Sequence, residues 1–281
     1  MQYTGYYINL DRATERRAAL EAHLASRDPS RPYRRFPAMD GAAIGAISEH
    51  IPAGAIGCYH SHRAVLREQL DGPSHLHIIE DDARMARNAP SFLDQIIASG
   101  TLDQYDILFT DSAVPPHAAG ARDYRRIYRD SIRRAHDGTV TSIAVTPIQY
   151  MAGTSSYLVN RASIQRLHDL LDAELERGPT LPIDLRIRLW REQGILRVAC
   201  LFPFITTVRV GEFDSATDDG RGARSRLGAE LLRYSFFVEC DIALATALAD
   251  RYLAAPPSAD PWENLHMRIA GFNASDRYDP I

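Results

Sequence analysis

The chain has 281 residues, 45% of them hydrophobic, with 32 basic against 36 acidic side chains and a formal charge of −4. This is enough apolar material for one large core, and the charge balance gives no reason to expect nucleic acid or an anionic membrane as partner. No apolar run reaches membrane-spanning length, and Cys58, Cys200 and Cys240, odd in number and far apart, read as reduced thiols, so a cytoplasmic enzyme is expected.

Tyr3 to Leu10 reads as a strand, and Thr14 to Ser26 as a helix through Ala18, Leu20 and Leu24. Residues 29–54, rich in proline and glycine, read as connection with a short strand at Tyr33 to Phe36. Ser61 to Leu70 returns to helix through Val65, Leu66 and Leu70, and Leu76 to Ile79 is a buried strand. Phe92, Leu93, Ile96 and Ile97 stripe a helix opened by Pro90 and Ser91, followed by a strand at Tyr105 to Phe109. Gly153 to Val159 reads as strand, Arg161 to Leu171 as helix, a further helix starts at Asp184, and Ile195 to Phe202 is the last strand. Alternation of this kind predicts an α/β fold with a mostly parallel central sheet flanked by helices. Residues 1–205 are expected to form the catalytic domain, and 206–281 a C-terminal extension packed on it, with a polar loop at 213–226 and one long helix from Gly228 to Leu253.

Three carboxylates, Glu80, Asp81 and Asp82, close the buried run Leu76-His77-Ile78-Ile79. If the strand continues, Glu80 and Asp82 share one side and can share a divalent cation, for which oxygen ligands favour Mg²⁺ or Mn²⁺. In open α/β sheets ligands bind at the carboxyl ends of strands, which is where this cluster falls. Cys58-Tyr59-His60-Ser61-His62 has the look of a zinc site, but structural zinc needs a second Cys/His pair that the chain lacks.

Five blocks stand in order along the chain: Tyr7-Ile8-Asn9-Leu10-Asp11-Arg12, Gly57-Cys58-Tyr59-His60-Ser61-His62, Glu80-Asp81-Asp82-Ala83, Gly153-Thr154-Ser155-Ser156-Tyr157-Leu158-Val159 and Pro182-Ile183-Asp184. Together they resemble glycosyltransferase family 25, the family of lipooligosaccharide galactosyltransferases and of bacterial relatives of collagen galactosyltransferase, over residues 3 to 190. The resemblance implies a GT-A-type fold, a UDP-sugar donor, usually UDP-galactose, a Mn²⁺ or Mg²⁺ ion, and inversion at the anomeric carbon. It implies that Asn9, Asp11, Arg12 and Arg16 hold the uridine and diphosphate, with Ser61 capping a helix and His62 facing the donor. It makes Asp82 a direct metal ligand, Glu80 a ligand through water or a ribose contact, and Asp81 a donor-side or turn-anchoring residue. Gly153 and Thr154 would line the sugar pocket.

Inversion needs a base for the acceptor hydroxyl, and Asp184 is the candidate; Asp111, Glu212 and Asp214 are rivals without motif support. The acceptor is a hydroxyl of a glycan such as a lipopolysaccharide core sugar, of a natural product or of a protein, and a lipid-linked one would bring transient contact with a membrane surface. A Mg²⁺-dependent phosphohydrolase or pyrophosphatase, and a non-catalytic domain that binds nucleotide sugars, are the competing expectations.

Overall fold

The structure is a computed structural model that describes residues 3–45, 48–114, 123–128, 148–210 and 223–254, with a few isolated positions beyond. Strand β1 (Tyr3–Asn9) is buried on both faces, as the centre of a covered sheet requires. It pairs in parallel with β2 (Arg34–Pro37) on one side and β3 (His75–Glu80) on the other. Beyond β3 lie β6 (Ser156–Val159), β5 (Ile107–Phe109) and β7 (Val198–Cys200), giving the order β2-β1-β3-β6-β5-β7. Only β6 runs antiparallel to its neighbours. The carboxyl ends of β1, β3 and β5 therefore share one edge of the sheet with the amino end of β6.

Helix α1 (Thr14–Arg27) follows β1 and buries Leu20 and Leu24, one turn apart. Helix α2 (Ala53–Glu68) packs against α4 (Ile164–Arg177) and α5 (Ile183–Glu192), which bury the stripes Ile164, Leu167, Leu171 and Ile183, Ile187, Trp190. Helix α3 (Ala89–Ala98) buries Phe92, Leu93 and Ile96. The mostly parallel sheet flanked by helices is the fold class expected.

Three local expectations are corrected. Helix α2 starts at Ala53 rather than Ser61, because Pro52 in an extended conformation launches it and Gly57 inside it serves packing. A Cβ on Gly57 would sit 2.7 Å from the Gly41 nitrogen, so only glycine lets the 39–41 loop lie on the helix. The predicted long C-terminal helix is two, α6 (Ala223–Tyr234) and α7 (Ile242–Leu253). The chain breaks at Phe236 and Phe237, which are buried and exchange backbone bonds with Phe204: its amide donates to the Phe236 carbonyl at 3.0 Å, and its carbonyl accepts from Val238 at 3.0 Å. The expected loop at 213–226 gives way to α6 from Ala223, and residues 211–222 lie outside the described ones.

An antiparallel ribbon of β4 (Ala83–Met85) and β8 (Thr206–Val208), which periodicity does not announce, follows the acidic cluster. The Arg209 amide donates to the Asp82 carbonyl at 3.0 Å, so the ribbon fixes the backbone on which the cluster sits.

Candidate active site

At the carboxyl edge, β3 ends at Glu80 and the chain turns through Asp81 and Asp82. The three carboxylates consequently do not alternate as on a continuing strand. Asp81 is buried and accepts from Asn9 Nδ2 at 2.7 Å, and it pairs with Arg16. Arg16 also reaches Asp82 at 3.6 Å, so the start of α1 is clamped to the acidic turn. Asn9 is fully engaged as well: its amide donates to the Ala13 carbonyl, and its Oδ1 accepts from Arg35 at 3.2 Å. Arg35 also bonds Asp11, which is 81% exposed. Arg12, exposed, pairs with Asp40. Arg17 faces solvent beside Glu21.

Glu80 is held from two sides. Thr154 Oγ1 donates to Glu80 Oε1 at 2.6 Å, and His62 Nε2 lies 3.2 Å from the same oxygen. The other ring nitrogen of His62 is 2.7 Å from the Tyr157 hydroxyl. His62 is buried, and it stands against Glu80 where both line the cleft. Ser61 is not a helix cap: in mid-helix its hydroxyl donates to the Gly57 carbonyl at 2.7 Å and accepts from the Met39 amide at 2.8 Å, tying the 39–41 loop to α2.

Burial pushes the Glu80 carboxyl up, but the bonds from His62 and Thr154 outweigh it and leave it below the ordinary range. Asp82 goes the other way: burial and then the Glu80 charge push its carboxyl up to about 7. Two close carboxylates cannot both ionise freely, so the charge settles on Glu80 and the proton on Asp82. Asp82 Oδ1 is buried with no hydrogen-bond partner among the described residues, beside another carboxylate. An acidic pair with an unsatisfied oxygen fits a hard divalent cation.

Asp184 occupies the first turn of α5, but the N-cap residue is Pro182. Its Oδ1 accepts from the Leu185 amide at 2.8 Å and its Oδ2 from the Gly153 amide at 3.1 Å. Gly153 has φ +96°, a conformation that glycine adopts without strain and that aims this amide at α5. Burial pushes the Asp184 carboxyl up against those two bonds, and the Glu80 charge adds to the rise.

A solvent-open cleft of about 590 Å³ runs from Glu80 and Asp81 past Cys58, Ser61 and His62 to Asn9, Arg12 and Asp40, with Ile8, Leu10, Ala38 and Met39 as apolar wall. Asp82, Gly153, Thr154 and Asp184 lie outside this lining and connect to it through Glu80.

One group escapes motif reading. Arg233, on α6, pairs with Asp111, which is fully buried, and donates to Ser155 Oγ at 2.6 Å; Ser155 in turn donates to Asp111 at 2.9 Å. The same guanidinium feels Asp82 and Glu80. Asp111, its carboxylate committed to Ser155 and Arg233, is not a free base; Glu212 and Asp214 lie outside the described residues. Asp111 follows a buried strand as Glu80 does, which is a usable signal, whereas nothing local marks Arg233.

The chain matches a family of glycosyltransferases over residues 2–186. It belongs to glycosyltransferase family 25, described as LPS biosynthesis protein. No curated protein matches. Among solved structures, mouse xyloside xylosyltransferase 1 in its apo form is similar at 10% identity and a TM-score of 0.32, over 70% of this chain and 64% of that one, slightly under two thirds of its length. Among the described residues no helix is long and apolar enough to cross a membrane.

Proposed function

We propose that the chain transfers a hexose, galactose first among them, from a UDP-sugar to an acceptor hydroxyl with inversion, in the cytoplasm, with Mn²⁺ or Mg²⁺ held by Asp82 and Glu80. The observation that carries the metal is Asp82, whose buried Oδ1 lacks a partner among the described residues and whose carboxyl is pushed up to about 7 by burial and then by the Glu80 charge. A cation bound there supplies charge neutralisation to the departing nucleoside diphosphate.

The protein's own groups do the rest. The cleft takes the nucleotide between its apolar wall and Arg12, whose guanidinium is accessible to phosphate. Arg16 and Asn9, both bound to Asp81, keep the acidic turn in place, and Thr154 and His62 hold Glu80 Oε1 so that Oε2 is left for ligand or ion. Asp184 takes the acceptor's proton; its raised carboxyl makes it a stronger base than an ordinary aspartate. The acceptor belongs to the glycan class that the family description names, lipopolysaccharide, and if lipid-linked is met at a membrane surface. Residues 1–205 form the catalytic domain in this reading, and the segment after them contributes Arg233 to its edge.

The test is a thermal-shift comparison of UDP with Mn²⁺ and with chelator. UDP at 100 times its Kd should stabilise by roughly 2.7 kcal/mol, and more with the ion than without. A larger shift with GDP or CMP than with UDP would sink the donor assignment.

A further inference from the structure

Cys58 and His62 lie four residues apart on α2 and so share a helix face, which also meets Glu80 at the end of β3. One ligand atom from each of the three lies within 4.8 Å of the others. A tetrahedral centre with bonds of about 2.1 Å separates its ligand atoms by about 3.4 Å, and His62 Nε2 and Glu80 Oε1 are 3.2 Å apart. The wider pairs need to close by about an ångström, within reach of side-chain rotation. The outer contact is in place too: metal-bound imidazoles donate their second ring N–H to an acceptor, and the Tyr157 hydroxyl stands 2.7 Å from His62 Nδ1. Cys58, His62 and Glu80 all line the cleft, which leaves a fourth position open.

We propose that Cys58, His62 and Glu80 form a binding site for a thiophilic divalent cation of the zinc class, distinct in ligand chemistry from the oxygen site of Asp82 and Glu80. On binding, the thiol proton leaves to solvent, and the imidazole proton sits on Nδ1, donated to Tyr157, while Nε2 takes the ion. Zinc outranks manganese for a given set of nitrogen, oxygen and sulfur ligands. Because Glu80 belongs to both sites, an ion on Cys58 and His62 competes for the carboxylate that would help hold the ion at Asp82. This consequence, unlike the site itself, rests on the function proposed above, and it makes zinc an inhibitor of transfer.

The experiment titrates the full chain with Co²⁺ as a spectroscopic substitute for zinc, without nucleotide. One equivalent should raise a thiolate-to-cobalt charge-transfer band, which Zn²⁺ bleaches. Cys58→Ser should abolish the band and Cys240→Ser should keep it, while Tyr157→Phe should weaken Zn²⁺ binding on the order of 10- to 100-fold. No thiolate band in the parent, or a band that survives Cys58→Ser, overturns the site. Zn²⁺ should also reduce the Mn²⁺-dependent UDP shift in the parent more than in Cys58→Ser, and an equal reduction overturns the competition. The cobalt band involves no UDP, so a failed donor assignment leaves this test intact.

Discussion

Asp82→Asn should make the metal-free protein more stable above neutral pH while ending its response to a divalent cation. The Asp82 carboxyl goes from an ordinary 3.8 to about 7 in the fold, through burial first and the Glu80 charge second. Between those values the folded state keeps a proton that the unfolded chain gives up, so stability falls as pH rises through the window, and the penalty is complete above about 7. At about 1.36 kcal/mol per pH unit the ceiling is about 4 kcal/mol. With 31% of the side chain open to solvent, screening brings the expected cost to about 2 kcal/mol. Asparagine keeps the shape and cannot ionise. Urea unfolding with chelator should therefore show the variant more stable by about 2 kcal/mol at about pH 8, with little difference at about pH 4.5. Added Mn²⁺ should stabilise the parent and not the variant. Equal stability at the higher pH, or an equal response to Mn²⁺, would refute the reasoning, since either result means that Asp82 is not a strained, ion-seeking carboxylate.

Asp184→Asn should cut transfer on the order of 10²- to 10⁴-fold while calorimetry in Mn²⁺ finds UDP affinity unchanged; full transfer by the variant puts the base elsewhere. Arg233→Gln leaves the fully buried Asp111 without its cation and should cost about 3–5 kcal/mol in denaturant unfolding, and a loss under about 1 kcal/mol would show that the pair is not what neutralises Asp111. His23 and His77 are pushed below the ordinary 6.5, to about 4 and about 3, by burial foremost. Both stay neutral in the fold and protonate on unfolding, so stability held above about pH 6.5 should fall as pH drops toward 4. His23→Gln, whose side-chain oxygen can accept the Met85 amide as His23 Nε2 does at 2.9 Å, should flatten that slope in melting temperature against pH; an unchanged slope discards the cause.

Most of the sheet is legible because its strands are buried on both faces and read as unbroken apolar runs: Tyr3 to Asn9, His75 to Glu80 and Ile107 to Phe109 each lie at or within a predicted run. The helices with clean stripes, such as Ile164, Leu167 and Leu171, read equally well. Where a backbone position answers to tertiary contacts, the reading slips. Gly54 and Gly57 lower local helix propensity and hide the first two turns of α2, although Gly57 is there to admit the 39–41 loop. Phe236 and Phe237 look like helix-compatible core residues, and only the bridge to Phe204 shows why the helix must break there.

The site divides along the same line. A carboxylate at a strand end can be read from its neighbours in sequence, and Glu80 and Asp82 are singled out that way, whereas Asp184, in the first turn of a helix, is singled out by the Pro182-Ile183-Asp184 block. What each one does depends on groups brought from far along the chain, and no local pattern records them. Glu80 is ordinary until Thr154 and His62 saturate one of its oxygens, 74 and 18 residues away. Asp82 becomes a poor anion because it is buried and because Glu80 beside it is already the better one, so its chemistry follows from both environments together. Arg233 is the extreme case. It comes from beyond the matched residues 2–186, yet its charge reaches both members of the acidic pair and its removal would expose Asp111 as a third. The part of the chain with no motif therefore helps set how much positive charge the acidic edge already holds, and hence how far its carboxylates are neutralised by the protein itself.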